Sequence, residues 1–420
     1  MPVSSRPPAT LLTLLTLLTL RTLRTPVRPA SGKINWLASW FTPLIAAAAY
    51  LLFWPTPVSP VPWDAPTNLG YSGAHAANTG LVPLQQIALG AGQEGPEFVL
   101  AHGGWLYSGL SNGDVVRLDT RGERQSVVVN TGGRPLGLDM DAQGRLLVAD
   151  AMKGLLRVTG QGPGARVETL LAAVSHPVPD DPVRYADAVK VGPDGTLWLT
   201  DASRRFGAKA WGSTFEASVL DILEHSCTGR LIAQDPATLQ ARVALDGLCF
   251  PNGIAFTADG KQMLLSETGT YRVLKVDLAK LSLVRTASGT TGVPTLAQAL
   301  QQGAAVVLID NLPGYPDNLT RGEGGRIWVG LTKPRSPVID AAARHPMLRS
   351  ITLRLPRALW PVPKAYGHLI AFDDSGKVLA DLQDPKGAYP ETTAATEADG
   401  KLFVQSLHAH TLGWMAYPPK

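Results

Sequence analysis

The sequence is poor in cysteine, in charge and in long apolar runs. Two cysteines in 420 residues rule out a disulfide scaffold. Charged residues make up 17% of the chain, which is low, while the 45% hydrophobic share is ordinary. Such a chain can bury a large core, so disorder is excluded as its main state. Only one long uncharged apolar stretch exists, which excludes a multi-span membrane protein. The formal net charge of +4 is small, and no clustered basic face is visible, so a nucleic-acid partner is not expected. The chain has no G-x-S-x-G elbow, which argues against a serine hydrolase of the α/β type. It has no H-E-x-x-H and no cysteine cluster, which argues against zinc. Turn-formers are abundant instead. With 42 Gly and 34 Pro, turns should be frequent and long helices few.

The single apolar stretch runs from Ile34 to Trp54 without a charge. A bilayer needs about 20 such residues. Trp36, Trp40 and Trp54 lie towards its ends, where amphipathic rings favour the headgroup layer, and Pro43 would kink the helix without breaking it. Arg6, Arg21, Arg24, Arg28 and Lys33 precede it, and the first acid after it is Asp64. The positive-inside rule then gives a single-pass protein with a cytoplasmic N-terminus and an exported body, periplasmic or extracellular. A cleaved signal peptide is the rival reading, although Tyr50 to Trp54 prolong the run past Ala46–Ala49. Residues 11–20 are apolar but too short to span. The expected organisation is a basic cytoplasmic segment at 1–33, an anchor at 34–54, a Pro-rich extended linker at 55–85 and one domain at 86–420.

That domain is repetitive. A Gly-led turn followed by an apolar or alternating strand recurs at Gly104, Gly144, Gly195, Gly260, Gly325 and Gly400. Most copies follow a short apolar run, such as Leu136–Leu138, Ala188–Val191 or Gly253–Phe256, and several precede a third strand, such as Gly154–Val158. Units of this kind are antiparallel meanders. Six of them predict an all-β fold, a six-bladed β-propeller preceded by an N-terminal transmembrane helix. A pair of β-sandwiches is the alternative. Uneven spacing places long insertions near 203–225, 280–305 and 333–365, expected on one face and carrying function.

Polar residues recur at one phase of the repeat. Glu97, Asp187, Asn252 and Asp317 with Asn318 lie eight to ten residues ahead of their Gly-led strands. Such oxygen ligands, brought together from several blades, suit Ca²⁺ or another oxygen-preferring divalent ion. Asn252 and Asp317–Asn318 each follow a proline and also read as turn residues. His408 and His410 could act as ligand or base, but a surface or packing role is expected. Cys227 and Cys249 could pair in an exported domain, with geometry deciding.

The ordered series Gly133–Leu138, Val148–Ala151, Thr228–Leu231, Phe250–Ala255, Ser266–Thr268 and Leu312–Asn318 resembles the strictosidine-synthase-like proteins. It covers residues 90 to 415. An anchor before such a domain is similar to membrane-associated members of that group. The wider superfamily includes gluconolactonases and paraoxonases, all six-bladed propellers. The resemblance implies a calcium-dependent hydrolase of lactones or aryl esters, with Glu97, Asn252, Asp317 and Asn318 at the calcium positions. Where relatives often carry Asn-Asp, this chain has Ala186-Asp187, so one amide ligand is lost. The position matching the catalytic Glu of plant strictosidine synthases is Thr393, with Glu391 and Glu397 as neighbours, so alkaloid condensation is not expected. The paraoxonase channel His is matched by Leu136. Asp317 is left as the candidate base, by similarity to gluconolactonases. The expected substrate is a small lactone or ester, and the expected form a monomer. A non-catalytic binding module and a synthase or lyase are the alternatives.

Overall fold

The computed structural model describes residues 36–285 and 292–417. The expected basic N-terminal segment, the short apolar run at 11–20 and the start of the expected anchor at Ile34 lie outside the described residues. The chain divides into two compact units, up to Trp54 and from Pro55 onward. The described residues of the first form the helix Trp36–Phe53, with Pro43 inside it and no charge along its length. Among the described residues no helix is long and apolar enough to cross a membrane.

Among its described residues, the second unit contains six four-stranded antiparallel sheets and one two-stranded ribbon. The first strands of the sheets are Val99–His102, Pro135–Met140, Ala186–Val191, Pro251–Phe256, Gly314–Arg321 and Thr392–Ala398. Each contacts the next, and the last contacts the first, so the six close into a ring. This is the expected propeller. Its sixth sheet combines three C-terminal strands with Gln85–Ala88, which pairs with Thr411–Ala416. Both ends of the domain therefore lock one blade, and the ring has no open edge at that blade's interior.

The six marker glycines each sit in the turn between the first and second strand of a blade, with φ between 66° and 86°. Left-handed backbone costs least at glycine, which is why the sequence repeats it there. Second strands are mostly buried, and Leu146–Asp150 and Leu197–Asp201 are buried at every residue. These strands form the apolar layers between blades.

The insertions do not all share a face. Residues 203–225, with helices Ala208–Trp211 and Thr214–Glu224, and residues 333–365, with helices Pro337–Ala341 and Pro346–Arg354, both join second to third strands. The described part of 280–305 joins a third strand to a fourth and therefore emerges at the opposite end of its meander, because successive antiparallel connections alternate ends.

The Pro-rich segment after Pro55 is extended but does not hang free. Val58 is buried against Phe206, Leu220 and Phe250. The Val61 amide donates to Glu224 O over 2.8 Å, and the Trp63 amide donates to Ala343 O over 3.2 Å. The Trp63 ring stacks on His225 at 4.0 Å. The segment is thus a strap across both insertions. Cys227 and Cys249 are joined in a disulfide that ties the base of the first insertion to the approach of the fourth blade.

Candidate metal centre and substrate pocket

The same irregularity recurs in five of the first strands. In each, two consecutive residues oppose a single residue of the second strand. The pairs are 136–137, 187–188, 252–253, 317–318 and 393–394, opposite Ala149, Thr200, Ser266, Gly330 and Gln405. This is a β-bulge, which bends a strand and re-aims a side chain. Hydroxyls hold two of the bulges. Thr200 Oγ1 accepts from the Ala188 amide over 2.9 Å, and Ser266 Oγ accepts from the Gly253 amide over 2.8 Å. Asp187, Asn252 and Asp317 are first residues of their bulges, so the phase visible in the sequence is the phase of this distortion.

The second bulge position is small in four blades: Gly137, Ala188, Gly253 and Ala394. At Gly253 a Cβ would lie 2.1 Å from Leu319 N and 2.6 Å from Asn318 Cα. The bulge of the fifth blade packs directly on that glycine, which sets the distance between Asn252 and Asn318. In the fifth blade the second position is Asn318 itself, and it belongs to the polar set.

All five expected residues are buried, and Asn318 is fully so. Asp187 Oδ1, Asn252 Oδ1, Asp317 Oδ1 and Asn318 Oδ1 have no hydrogen-bond donor. Buried oxygens are almost always paired, and leaving one unpaired costs about 1–3 kcal/mol. Four such atoms on four expected positions fit a hard cation that takes carboxylate and amide oxygens. No three acids of this centre bring oxygens within 4.8 Å of one another, so the set is open rather than a tight acidic cluster.

Glu97 differs from the rest. Its Oε2 accepts from Arg134 Nη2 over 3.0 Å, and its carbonyl accepts from Thr393 Oγ1 at 2.6 Å and Asn318 Nδ2 at 3.3 Å. Burial pushes the Glu97 carboxyl up despite the nearby Arg134 and His408. Asp187 and Asp317 are pushed well above the usual carboxylate range, first by burial and then by neighbouring negative charge. The Asn318 amide and the Asn252 side chain work in the opposite direction at Asp317. Three buried acids facing one guanidinium need further positive charge to stay ionised.

Glu97, Asp187, Asn252 and Asp317 line the floor of a cavity of about 500 Å³. Its walls come from the two insertions on this face: Phe215, Ile222 and Leu223 from one, Ile339, Trp360 and Val362 from the other. Arg134 and Tyr185 also line it, and the Tyr185 hydroxyl donates to Thr214 O over 3.2 Å.

His408 was expected at the surface or in packing, and it stands in the cavity wall beside Lys333. Both pair with Glu391. Burial opposes ionisation of Glu391, but His408 and Lys333 outweigh it and hold the carboxyl down at about 2. Glu391 in turn raises the His408 imidazole. His410 is exposed and stays outside the cavity, 3.4 Å from Glu94. Thr393 is fully buried and serves as the donor to Glu97 O. Glu397 pairs with Arg326 and Trp328. Leu136 packs with Tyr185 and Phe250, and Ala186 is buried. Sequence reasoning missed Arg134, Tyr185, Lys333 and Glu391 as members of the site. Arg134 stood inside a motif already singled out, at Gly133–Leu138, and Glu391 had been noted only as a neighbour of Thr393.

Two family models match the chain, strictosidine synthase over residues 187–279 and strictosidine synthase-like, N-terminal, over residues 73–118. Protein strictosidine synthase-like 7 of Arabidopsis thaliana is 30% identical over 326 residues, 74% of this chain and 76% of that protein. The adipocyte plasma membrane-associated protein of Rattus norvegicus is 26% identical over 336 residues, 75% of this chain and 81% of that protein. Among solved structures, a gluconolactonase from Xanthomonas campestris superposes with a TM-score of 0.50 at 15% identity, covering 86% of this chain and 99% of that one. At that identity the likeness bears on the fold.

Proposed function

The chain belongs to the strictosidine synthase-like family, and on that premise we propose that it is a membrane-anchored, metal-assisted hydrolase of lactones or esters. The observation that carries this reading is the group of four donor-less buried oxygens on Asp187, Asn252, Asp317 and Asn318 beneath an apolar-walled cavity. Ca²⁺ or a similar ion held by these residues and Glu97 would supply Lewis-acid polarisation of a carbonyl and charge stabilisation for the oxyanion. Asp317 orients the attacking water and accepts its proton. Asn252 and Asn318 hold their oxygens in place through the bulges and through the bond from Asn318 Nδ2 to Glu97 O. Phe215, Ile222, Trp360 and Val362 exclude water and receive the apolar part of the substrate. The uncharged sequence run Ile34–Trp54 and the basic residues before it support anchoring, as does the name of the rat relative.

The full chain in detergent, assayed with calcium on simple lactones and phenyl acetate, tests the reading. Asp317→Ala should cut turnover by about 10²–10⁴-fold while the protein stays folded. Undiminished turnover by that variant would remove Asp317 from its role.

A second reading is a non-catalytic binding module on the same face. Two observations favour it: Ala186 stands where an amide ligand was expected, and Arg134 already neutralises Glu97. A folded protein with no metal and no turnover would select it. The alkaloid route finds no support, because Thr393 brings no carboxylate to the matching position.

A further inference from the structure

Away from the central cavity, three side chains from three separate segments converge at the outer part of the fifth blade. His75 comes from the 3₁₀ turn Gly73–His75, His368 from the third strand Gly367–Phe372 and Asp381 from the fourth strand Val378–Asp384. Their nitrogen and oxygen atoms all lie within 4.8 Å of one another. His75 Nδ1 is 2.8 Å from Asp381 Oδ2, and His368 Nε2 is 2.9 Å from the same oxygen.

The carboxylate is oriented by its surroundings. Its other oxygen, Oδ1, accepts from Asn78 Nδ2 over 3.2 Å and also from Gln383 Nε2. Gln383 is fixed in turn by Tyr366, whose hydroxyl donates to Gln383 Oε1 over 2.6 Å. Asn78 is fixed because its Oδ1 accepts from the amides of Gly80 and Gln383. With Oδ1 engaged, Oδ2 is left facing both imidazoles. Carboxylates that bind metals are held by outer hydrogen bonds of this kind.

We infer that His75, His368 and Asp381 form a second metal site, of the zinc type, that staples the residue 73–81 segment to the fifth blade. Two imidazoles and one carboxylate suit Zn²⁺, which prefers nitrogen ligands at about 2.0–2.1 Å and leaves a fourth position for water. Ligand atoms around a tetrahedral zinc stand roughly 3.3 Å apart on those bond lengths, so small side-chain shifts open the site. His75 is 18% exposed, which gives the fourth position access to solvent, while His368 is 2% exposed and gives the site a rigid wall. The absence of a zinc sequence motif is explained by the source of the ligands, because His75 lies 306 residues from Asp381 in the chain. Among the described residues the other compact group of this kind, His225 with Cys227 and Cys249, has both thiols in the disulfide.

The full chain, untagged and free of reductant, is stripped with chelator and titrated with zinc, reading metal content and melting temperature. One zinc per chain should bind and raise the melt, because a ligand that binds only the native state stabilises it. His75→Ala should lose that zinc and the zinc-dependent rise while keeping its calcium response. Asn78→Ala, which removes one of the two donors that hold Asp381 Oδ1, should weaken zinc binding about 10–100-fold. No zinc bound at micromolar free metal would overturn the inference. So would a His75→Ala variant that binds zinc as wild type does, or one whose melt falls by the same amount with and without zinc. That last result would make the cluster a plain hydrogen-bond brace.

Discussion

Arg134 Nη2 stands 3.0 Å from Glu97 Oε2, with both side chains less than a tenth exposed. Its charge acts on Glu97, Asp187 and Asp317 alike and opposes the rise that burial causes in all three. Removing one partner of a buried pair costs about 3–5 kcal/mol. Arg134→Met should therefore lose that much stability to urea in chelator, and calcium should restore a large part. Equal losses with and without calcium would mean that Arg134 and the proposed metal do not share the acids.

Gly253 carries the contact between the fourth and fifth blades. Gly253→Ala places a Cβ 2.1 Å from Leu319 N, against backbone that cannot rotate away. Overpacking of this kind costs about 1–3 kcal/mol. The displaced group is Asn318, so calcium affinity should fall in the same variant, read from the calcium dependence of its melt. An unchanged calcium response would separate Asn318 from the site.

The strap depends on Arg349. This fully buried guanidinium donates to the carbonyls of Val61, Ala343 and Leu223, joining the strap to both insertions. Arg349→Met takes its donors from Val61 O and Leu223 O, at about 1–3 kcal/mol for each one left unsatisfied, while Ala343 O keeps the Trp63 amide. Cleavage between residues 55 and 66 in limited proteolysis should become faster, while the blades stay resistant.

Glu391 and His408 give the cavity wall a defined pH response. Glu391 raises the folded-state pKa of His408 above its ordinary value near 6.5. The stabilisation is thus fully present below about 6.5 and fades as pH rises through the folded value. Glu391 has the opposite sign: its folded pKa is depressed to about 2, and its contribution is lost as pH falls towards that value. Titration of the His408 ring by NMR should give a pKa above 6.5, returning towards 6.5 in Glu391→Gln.

The repeat was legible because a turn needing positive φ selects glycine in every blade, at Gly104, Gly144, Gly195, Gly260, Gly325 and Gly400. The polar set was legible for a related reason. Asp187, Asn252 and Asp317 share a phase because each opens a bulge, a backbone feature that recurs even though the side chains differ. Other parts were not legible. Lys333, Glu391 and His408 meet only through tertiary closure and share no phase with the repeat. The strap read as a spacer because prolines suit extended chain whether it is free or packed. Its docking rests on partners such as Glu224 and Arg349 that lie more than a hundred residues away.

The most direct test of the metal centre is the melting temperature of the full chain against calcium concentration, for wild type and Asp317→Asn. The account predicts a wild-type melt that rises with calcium. It also predicts a variant that melts no lower than wild type in chelator, because a buried acid has been replaced by an uncharged group of the same shape, and that fails to respond to calcium. A variant that still responds as wild type does, or a wild type indifferent to calcium, would contradict it.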